Sequence, residues 1–169
     1  MTAPTAVPGV LDYLYATALA SASLGQASPP VTVIDGPQVT DDILIEQPIL
    51  WIGHDPLSPG EVAATSDLDW PVMDHGRTLD EEGEITCAAR YWSGDVTTKT
   101  SRDGCAAIVE AVAQLLKGDA TTGGPGDISE GGLLFWSRVS ATSWQQAQRS
   151  DGAAVICVFR IAYRARITV

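Results

Sequence analysis

Three arginines recur on one side of an apolar segment, and guanidinium groups of this kind can pair with carboxylates. Residues 153–169 (AAVICVFRIAYRARITV) alternate between two faces. One face is wholly apolar, from Val155 to Val169, whereas the other carries Arg160, Arg164 and Arg166. Three unpaired buried arginines would be very costly. The arginine face is therefore either a solvated sheet face or a seam with an acidic surface of a neighbouring subunit.

Acidic side chains are abundant, and they are spread unevenly along the chain. The net charge is −11; residues 1–76 hold ten acids and no Lys or Arg, whereas residues 77–169 hold all ten bases and eleven acids. Such a chain lacks the basic face that neutralises nucleic-acid phosphates. Its charge favours solubility or contact with a basic surface. One expectation is that the acids of residues 1–76 in one subunit lie across the arginines of the next, and the alternative is that these acids serve solubility alone.

Residues that enzymes use are present, but not in recognisable arrangements. His54 and His75 lie in segments rich in Pro, Gly and Asp, where solvated loop histidines are expected. Residues 121–127 (TTGGPGD) lack the Gly-Lys-Ser/Thr ending of a phosphate-binding loop. Residues 80–84 (DEEGE) lack the alternation of a calcium loop. We predict no catalytic residue, no metal site and no cofactor, so the chain is expected not to be an enzyme.

Length and composition indicate one globular domain. A chain of 169 residues with 45% hydrophobic residues can bury a sizeable core without disulfides or metals. Its three cysteines are far apart and odd in number, which predicts buried free thiols and synthesis in a reducing cytoplasm. No apolar run approaches the roughly 20 residues of a membrane span, and the start lacks the basic residues of a signal peptide.

The elements that would position these residues follow from apolar periodicity. Apolar spacing predicts helices over residues 7–24 and 101–117, the second with Thr100 or Ser101 as its cap. Long loops are predicted at 53–76 and 118–132. Strands are predicted at 31–35, 43–53 (best at 49–52), 83–95, 133–142 and 153–169. The order α-β-β-β-α-β-β predicts an α+β fold, with a mixed or antiparallel sheet of about five strands and two helices on one face.

The order of these elements resembles the tail terminator (tail-completion) proteins of long-tailed bacteriophages. The resemblance covers most of the chain, although no single motif in it is specific. The stretches that carry it are the helix 7–24, VTVIDGP, EEGEITCAARYWSGD, GCAAIVEAVAQLLKGD and GGLLFWSRVSATSW followed by SDGAAVICVFRIAYRARITV. The pairing of a Gly-Gly-aromatic strand with a final strand containing RARI is its most suggestive part.

The resemblance implies a structural role in the virion. Proteins of this family form a hexameric ring on the head-proximal end of the tail tube, where they stop tube growth and receive the head-completion (connector) proteins. DNA passes through the lumen without specific binding. The implied partners are therefore a second copy of the chain, the major tail tube protein and the connector protein, with no membrane. The implied location is the head–tail junction of a virion made in the host cytoplasm.

Three groups of residues are candidates for contacts in such a ring. Arg160, Arg164 and Arg166 are the candidates for the subunit interface, and charge reversal at Arg164 is expected to weaken ring formation more than folding. Asp80, Glu81 and Glu82 are candidates for an acidic lumen that repels DNA phosphates. The candidates for partner-contact loops are Asp55, Trp70, Gly123, Gly124, Asp127 and Glu130.

Two other functions stay open from the sequence. The first is a neighbouring neck role, as a head-closure or connector protein or a tube-like component. The second is a monomeric or dimeric α+β domain that binds a small molecule or a peptide. A hydrolase that uses His54 or His75 ranks below both.

Overall fold

The predicted α+β fold is confirmed by a computed structural model, which has two helices and a six-stranded mixed sheet. It describes residues 5–37, 47–58, 60, 62–69, 78–95, 97–117, 134–149 and 152–168. The helices are α1 (Val7–Ala20) and α2 (Thr98–Lys117). The strands are β1 (Thr32–Asp35), β2 (Ile49–Ile52), β3 (Ala64–Asp69), β4 (Thr78–Ser93), β5 (Leu134–Arg149) and β6 (Gly152–Thr168).

Strand β6 lies between the two other long strands of the sheet. The strand order is β1-β2-β4-β6-β5, and β3 pairs with β4 beside β2. Only the β1–β2 pair is parallel among the described strands. Strand β2 pairs with residues 87–90 of β4, and β3 pairs with residues 80–85 along the same edge. The sheet therefore has a β2 half and a β3 half, joined by β4, β6 and β5.

The helices cover one face of this sheet, as predicted. The apolar face of β6 is buried from Val155 to Ile167, and it joins one core cluster with β4 and both helices. Helix α1 contributes Val10, Leu14 and Ala18 to the core, and α2 contributes a stripe from Cys105 to Leu116. Fully burying a side chain of Val, Ile or Phe stabilises a fold by about 1.5–3 kcal/mol. Strand β6 is therefore a central element of the core.

The helix boundaries differ from the prediction. Helix α1 ends at Ala20 rather than at residue 24, and α2 begins at Thr98 rather than at residue 101. Ser101, predicted as a possible cap, lies inside α2, where its buried Oγ donates a hydrogen bond to the Ala153 carbonyl at 2.6 Å. Helix α2 packs tightly on the sheet at Gly104, where a Cβ atom would lie 2.7 Å from the Tyr91 ring.

Two segments predicted as connections are strands. The segment 53–76 contains β3, and the predicted strand 133–142 continues as β5 to Arg149. Strand β4 begins at Thr78, so the acidic run 80–82 lies within the strand rather than before it. Strand β3 and the end of β5 are polar in sequence, so neither shows the apolar alternation that predicts a strand. Both lie at sheet edges and pair mainly through their backbone. The predicted loop 118–132 lies outside the described residues.

The face of the sheet opposite the helices, here called the outer face, has an apolar half and a charged half. In the β2 half, Ile49, Trp51 and Ala88 are buried and pack with Ile34 and Val158. The charged half lies around β3.

Within the described ranges, no helix is long and apolar enough to span a membrane.

Candidate functional site

The charged half of the outer face brings the three candidate arginines together with three acids of β4. Asp80 lies directly opposite Arg166 in the β4–β6 register, and Glu82 lies opposite Arg164. Glu84 and Arg160 are diagonal neighbours. These six residues are called the charge ladder below. Side chains point to alternate faces along a strand, so the even-numbered positions of β4 and β6 share this face.

The contacts within the ladder are strongest around Asp80. Arg166 donates two hydrogen bonds to its carboxylate, Nε to Oδ1 at 2.6 Å and Nη2 to Oδ2 at 2.9 Å. Arg164 Nη2 lies 3.4 Å from Asp80 Oδ2, and its Nε lies 3.6 Å from Glu82 Oε1. Paired guanidinium donors of this kind add geometric specificity as well as energy. Asp80 therefore fixes the position of two arginines.

At the other end of the ladder the contact is looser. Arg160 Nη1 lies 3.3 Å from Glu84 Oε2, and Ser140 Oγ of β5 donates to Glu84 Oε1 at 3.1 Å. Both charged side chains are well exposed, at 57% and 41%. Exposed pairs contribute about 0.2–1 kcal/mol. This end of the ladder orders the surface more than it stabilises the fold.

The environment of Asp80 favours its charged form. Hydrogen bonding to Arg166 is the main cause that lowers the pKa of Asp80 below 3.8, and the charges of Arg166 and Arg164 act in the same direction. Partial desolvation opposes this shift. Asp80 is 14% exposed, whereas Glu82 is 63% exposed. The two carboxylates thus present unequal charge to an approaching surface.

The arginine row therefore has carboxylate partners in its own chain. The expected partners were acids from residues 1–76 of a neighbouring subunit, but the described contacts go to Asp80, Glu82 and Glu84 of β4. The register of β4 against β6 creates these pairs. It could not be obtained from the alternation of β6 alone, which shows only that the arginines share a face.

Glu81 does not join Asp80 and Glu82 on the outer face. Its side chain points toward the helices and is fully buried. Its carboxylate accepts hydrogen bonds from Tyr163 Oη at 2.6 Å, Thr5 Oγ1 at 2.9 Å and the Ala6 backbone N–H at 2.7 Å. Of the three residues predicted to line an acidic lumen, Glu81 is thus available to neither solvent nor DNA in this fold.

Glu81 instead caps α1 from a distant part of the chain. The helix has Ala6 at its N-cap, a residue with no capping side chain. A carboxylate at a helix N-terminus satisfies a free N–H and interacts favourably with the helix dipole. Gly83 allows the arrangement, because a Cβ there would lie 2.6 Å from the Tyr163 ring. Burial, followed by the neighbouring Glu81, raises the pKa of Tyr163, which keeps its hydroxyl a donor.

Charge on the outer face changes sign from one edge to the other. On β3, Asp67 and Asp69 lie opposite Glu82 and Asp80 and are exposed. On β5, the Arg138 guanidinium lies 5.2 Å from the centre of the Trp136 ring, a cation–π contact. The face therefore runs from acids on β3 and β4 to arginines on β6 and β5. Sequence reasoning missed both edges, because β3 was assigned to a loop and the single Arg138 formed no pattern.

The candidates for partner contacts are only partly described. Asp55 follows β2, and its Oδ1 accepts the Leu57 backbone N–H at 2.8 Å. Asp55 and Arg160 line the same cleft, of about 330 Å³, between this segment and strands β5 and β6. The remaining candidates lie outside the described residues: Trp70, Gly123, Gly124, Asp127 and Glu130.

The groups considered for catalysis do not form a cluster in the described part of the chain. His54 is half-buried after β2, and His75 lies outside that part. No three described His, Cys, Asp or Glu residues are close enough together to hold a metal ion. The cysteines are buried, and desolvation raises the pKa of Cys87 and Cys105 to about 12 and that of Cys157 to about 11.

No protein-family model matches the chain, and a search of curated proteins finds none with significant similarity.

Proposed function

We propose that the chain is a structural virion protein of the tail-terminator type. In this role it forms a hexameric ring on the head-proximal end of a phage tail tube and joins the tube to the connector proteins. The proposal starts from the sequence resemblance. The observation that carries it is the organisation of the sheet, in which the long strands β4 and β6 bury one face against the helices, while the β3 half of the outer face is charged and exposed.

Such a sheet suits a ring subunit for geometric reasons. A ring needs a heterologous contact, in which two different surfaces of identical subunits meet and the rotation closes. Strands β3 and β5 lie at opposite edges of the charged half and differ in chemistry. A subunit with two unlike edges can make this contact repeatedly, whereas a self-complementary patch would give a two-fold dimer.

The net charge suits a channel through which DNA slides. Six copies of a chain of charge −11 carry −66. An acidic wall repels phosphates and keeps DNA from adhering. Asp80 and Glu82 are the predicted lumen acids that reach the outer face, and exposed Asp67 and Asp69 extend that surface. The arginines of the ladder are held by carboxylates of β4, which reduces their attraction for phosphate.

The experiment that tests this function measures assembly. The native mass of the purified chain is determined alone and with the tail tube protein encoded by the same genome, and the tubes are imaged by electron microscopy. We expect a six-fold ring at one end of each tube and shorter tubes than in reactions without the chain. A chain that remains monomeric and leaves tube length unchanged would contradict the proposal. Rings that bind only connector proteins would favour the head-closure role instead.

A further inference from the structure

The two edges of the charged half of the sheet carry opposite charges on the same face. Among the described strands, β3 pairs with β4 alone and β5 pairs with β6 alone, so each has an outer backbone edge. Asp67 and Asp69 lie on the outer face of β3. Arg138 lies on the outer face of β5, directly opposite Ala162 of β6. The sheet thus has an acidic edge and a basic edge.

Within the described residues, both edge strands lack Pro and Lys, two residues that often protect sheet edges, although β5 has register irregularities between Leu134 and Trp136 and between Val139 and Ala141. Proteins protect edge strands with Pro, Lys or a covering element. Strand β5 contains no Pro and no Lys, and residues 140–148 are all exposed. Strand β3 also lacks both residue types. Trp136 adds an apolar surface that is 40% exposed beside Arg138.

We propose that the basic edge, at β5, of one copy binds the acidic edge, at β3, of the next copy, with Arg138 placed against Asp67 and Asp69. This inference rests on the proposed ring, whose subunit seam it identifies. Strand β3 runs antiparallel to β5 within one subunit, through the antiparallel steps at β4 and β6. Identical copies placed side by side therefore present β3 to β5 in the orientation of an antiparallel pair.

Arg138 suits this seam better than the arginines of the ladder. Arg164 and Arg166 already contact carboxylates of β4 in their own chain. The contact of Arg138 with Trp136 is to an aromatic ring, which uses none of the N–H donors of the guanidinium. Those donors can bind carboxylates of the next copy. As in the sequence-based expectation, the proposed seam joins arginine to acids of residues 1–76. The contact lies at the sheet edges, between Arg138 and Asp67 and Asp69, and does not involve the arginines of β6.

Two opposite charge reversals test the seam. R138E makes both edges acidic, and the double variant D67K/D69K makes both edges basic. Each should require at least a tenfold higher protein concentration for half-assembly than the natural chain, because like charges oppose each other at every seam. Sedimentation velocity over a concentration series measures this. In an equimolar mixture of R138E and D67K/D69K, each contact between the two variants joins an acidic edge to a basic edge. Rings in which the variants alternate should therefore form. Native mass spectrometry should show equal numbers of the two variants in each ring.

Matched controls separate this seam from general charge effects. R102E changes an exposed residue of α2 by the same charge as R138E, and D12K/E110K changes two exposed helix residues by the same charge as D67K/D69K; both should leave assembly unchanged. Thermal unfolding of the dilute variants checks that they fold. The seam proposal would be wrong if R138E and D67K/D69K formed rings as stable as those of the natural chain, or if their mixture failed to assemble. Either result would leave the proposed ring function standing. A natural chain that forms no ring, alone or on tail tubes, would overturn the proposed function as well.

Discussion

The two faces of the sheet place neighbouring acids of β4 in opposite environments. Asp80 and Glu82 lie on the outer face, where arginines of β6 pair with them. Glu81, between them in sequence, is fully buried under α1 and is held by neutral donors. The difference shows that the role of an acid depends on which face of the strand its side chain points to and on the partners available there. Local composition does not decide it. On one face the carboxylates shape a surface, and on the other a carboxylate holds the fold together.

Removing the buried carboxylate should have the largest effect on stability. E81A leaves the Tyr163 hydroxyl and the Ala6 N–H without their acceptor in the core, so we expect the free energy of unfolding to fall by about 3 kcal/mol. E82A, one residue away on the outer face, should change it by less than about 0.5 kcal/mol. Urea unfolding followed by circular dichroism measures both. Equal losses in the two variants would contradict the assigned difference between the faces.

Filling the space above Gly83 should have a somewhat smaller effect. The Cβ of G83A would approach the Tyr163 ring to 2.6 Å. Because Tyr163 is buried and bonded to Glu81, it has little room to move, and we expect a loss of about 2 kcal/mol. G9A in α1 is the control, since a Cβ there meets nothing within 4 Å. It should stabilise the chain by about 0.5 kcal/mol. If G83A had the same free energy of unfolding as the natural chain, the Tyr163 side chain would have to be free to move.

The outer face should respond to pH through Asp80. Its pKa is lowered in the folded state, chiefly by the hydrogen bond from Arg166, so its charged form stabilises the fold above the ordinary value of 3.8. That stabilisation is lost as the pH falls below 3.8 through the folded-state pKa. The stability difference between the natural chain and D80N should therefore be greatest near neutral pH and disappear in acid. D12N, at an exposed position of α1, is the control for removing one carboxylate from the surface. If the stability difference between the natural chain and D80N did not change with pH, the charge of Asp80 would not be its cause.

The helix-covered face should also be closed to thiol reagents. With the pKa of each cysteine raised to 11 or 12 by burial, native protein should react with iodoacetamide only as it unfolds. S23C, at an exposed position in the turn after α1, supplies a thiol that should react at once and serves as the control. Rapid labelling of the natural chain would show that this face opens locally without global unfolding.

Much of the fold could be predicted from sequence, because the core follows apolar periodicity. The alternation in β6 and the stripe in α2 identified both elements and the face that each buries. Strand β3 and residues 143–149 of β5 were missed because edge strands pair through backbone groups, which leave no hydrophobic pattern. Glu81 was missed because an acidic run suggests solvent. Extending the alternation of β4 backward from Ile85 places residues 83, 81 and 79 on the core face and could have found it.

The site could be predicted only in part, because contacts between strands depend on register. The sequence shows that Arg160, Arg164 and Arg166 share a face. It does not show that Asp80 lies opposite Arg166, which is set by how β4 aligns with β6. Edge chemistry at Asp67, Asp69 and Arg138 depends on which strands are outermost, a property of topology rather than of local pattern.

The central position of β6 also sets the order in which this chain can fold. Strands β4 and β5 share no pairing with each other, and β6 joins them with partners up to 90 residues distant in sequence (Thr78 and Thr168). Such a high contact order slows folding, since the entropy of closing long loops is lost before the pairing is gained. A nascent chain that ends before Gly152 would hold two long strands without their common neighbour. Strand β4 can already pair with β2 and β3, so the edges of β4 and β5 that face β6 are the surfaces that most need a chaperone during translation.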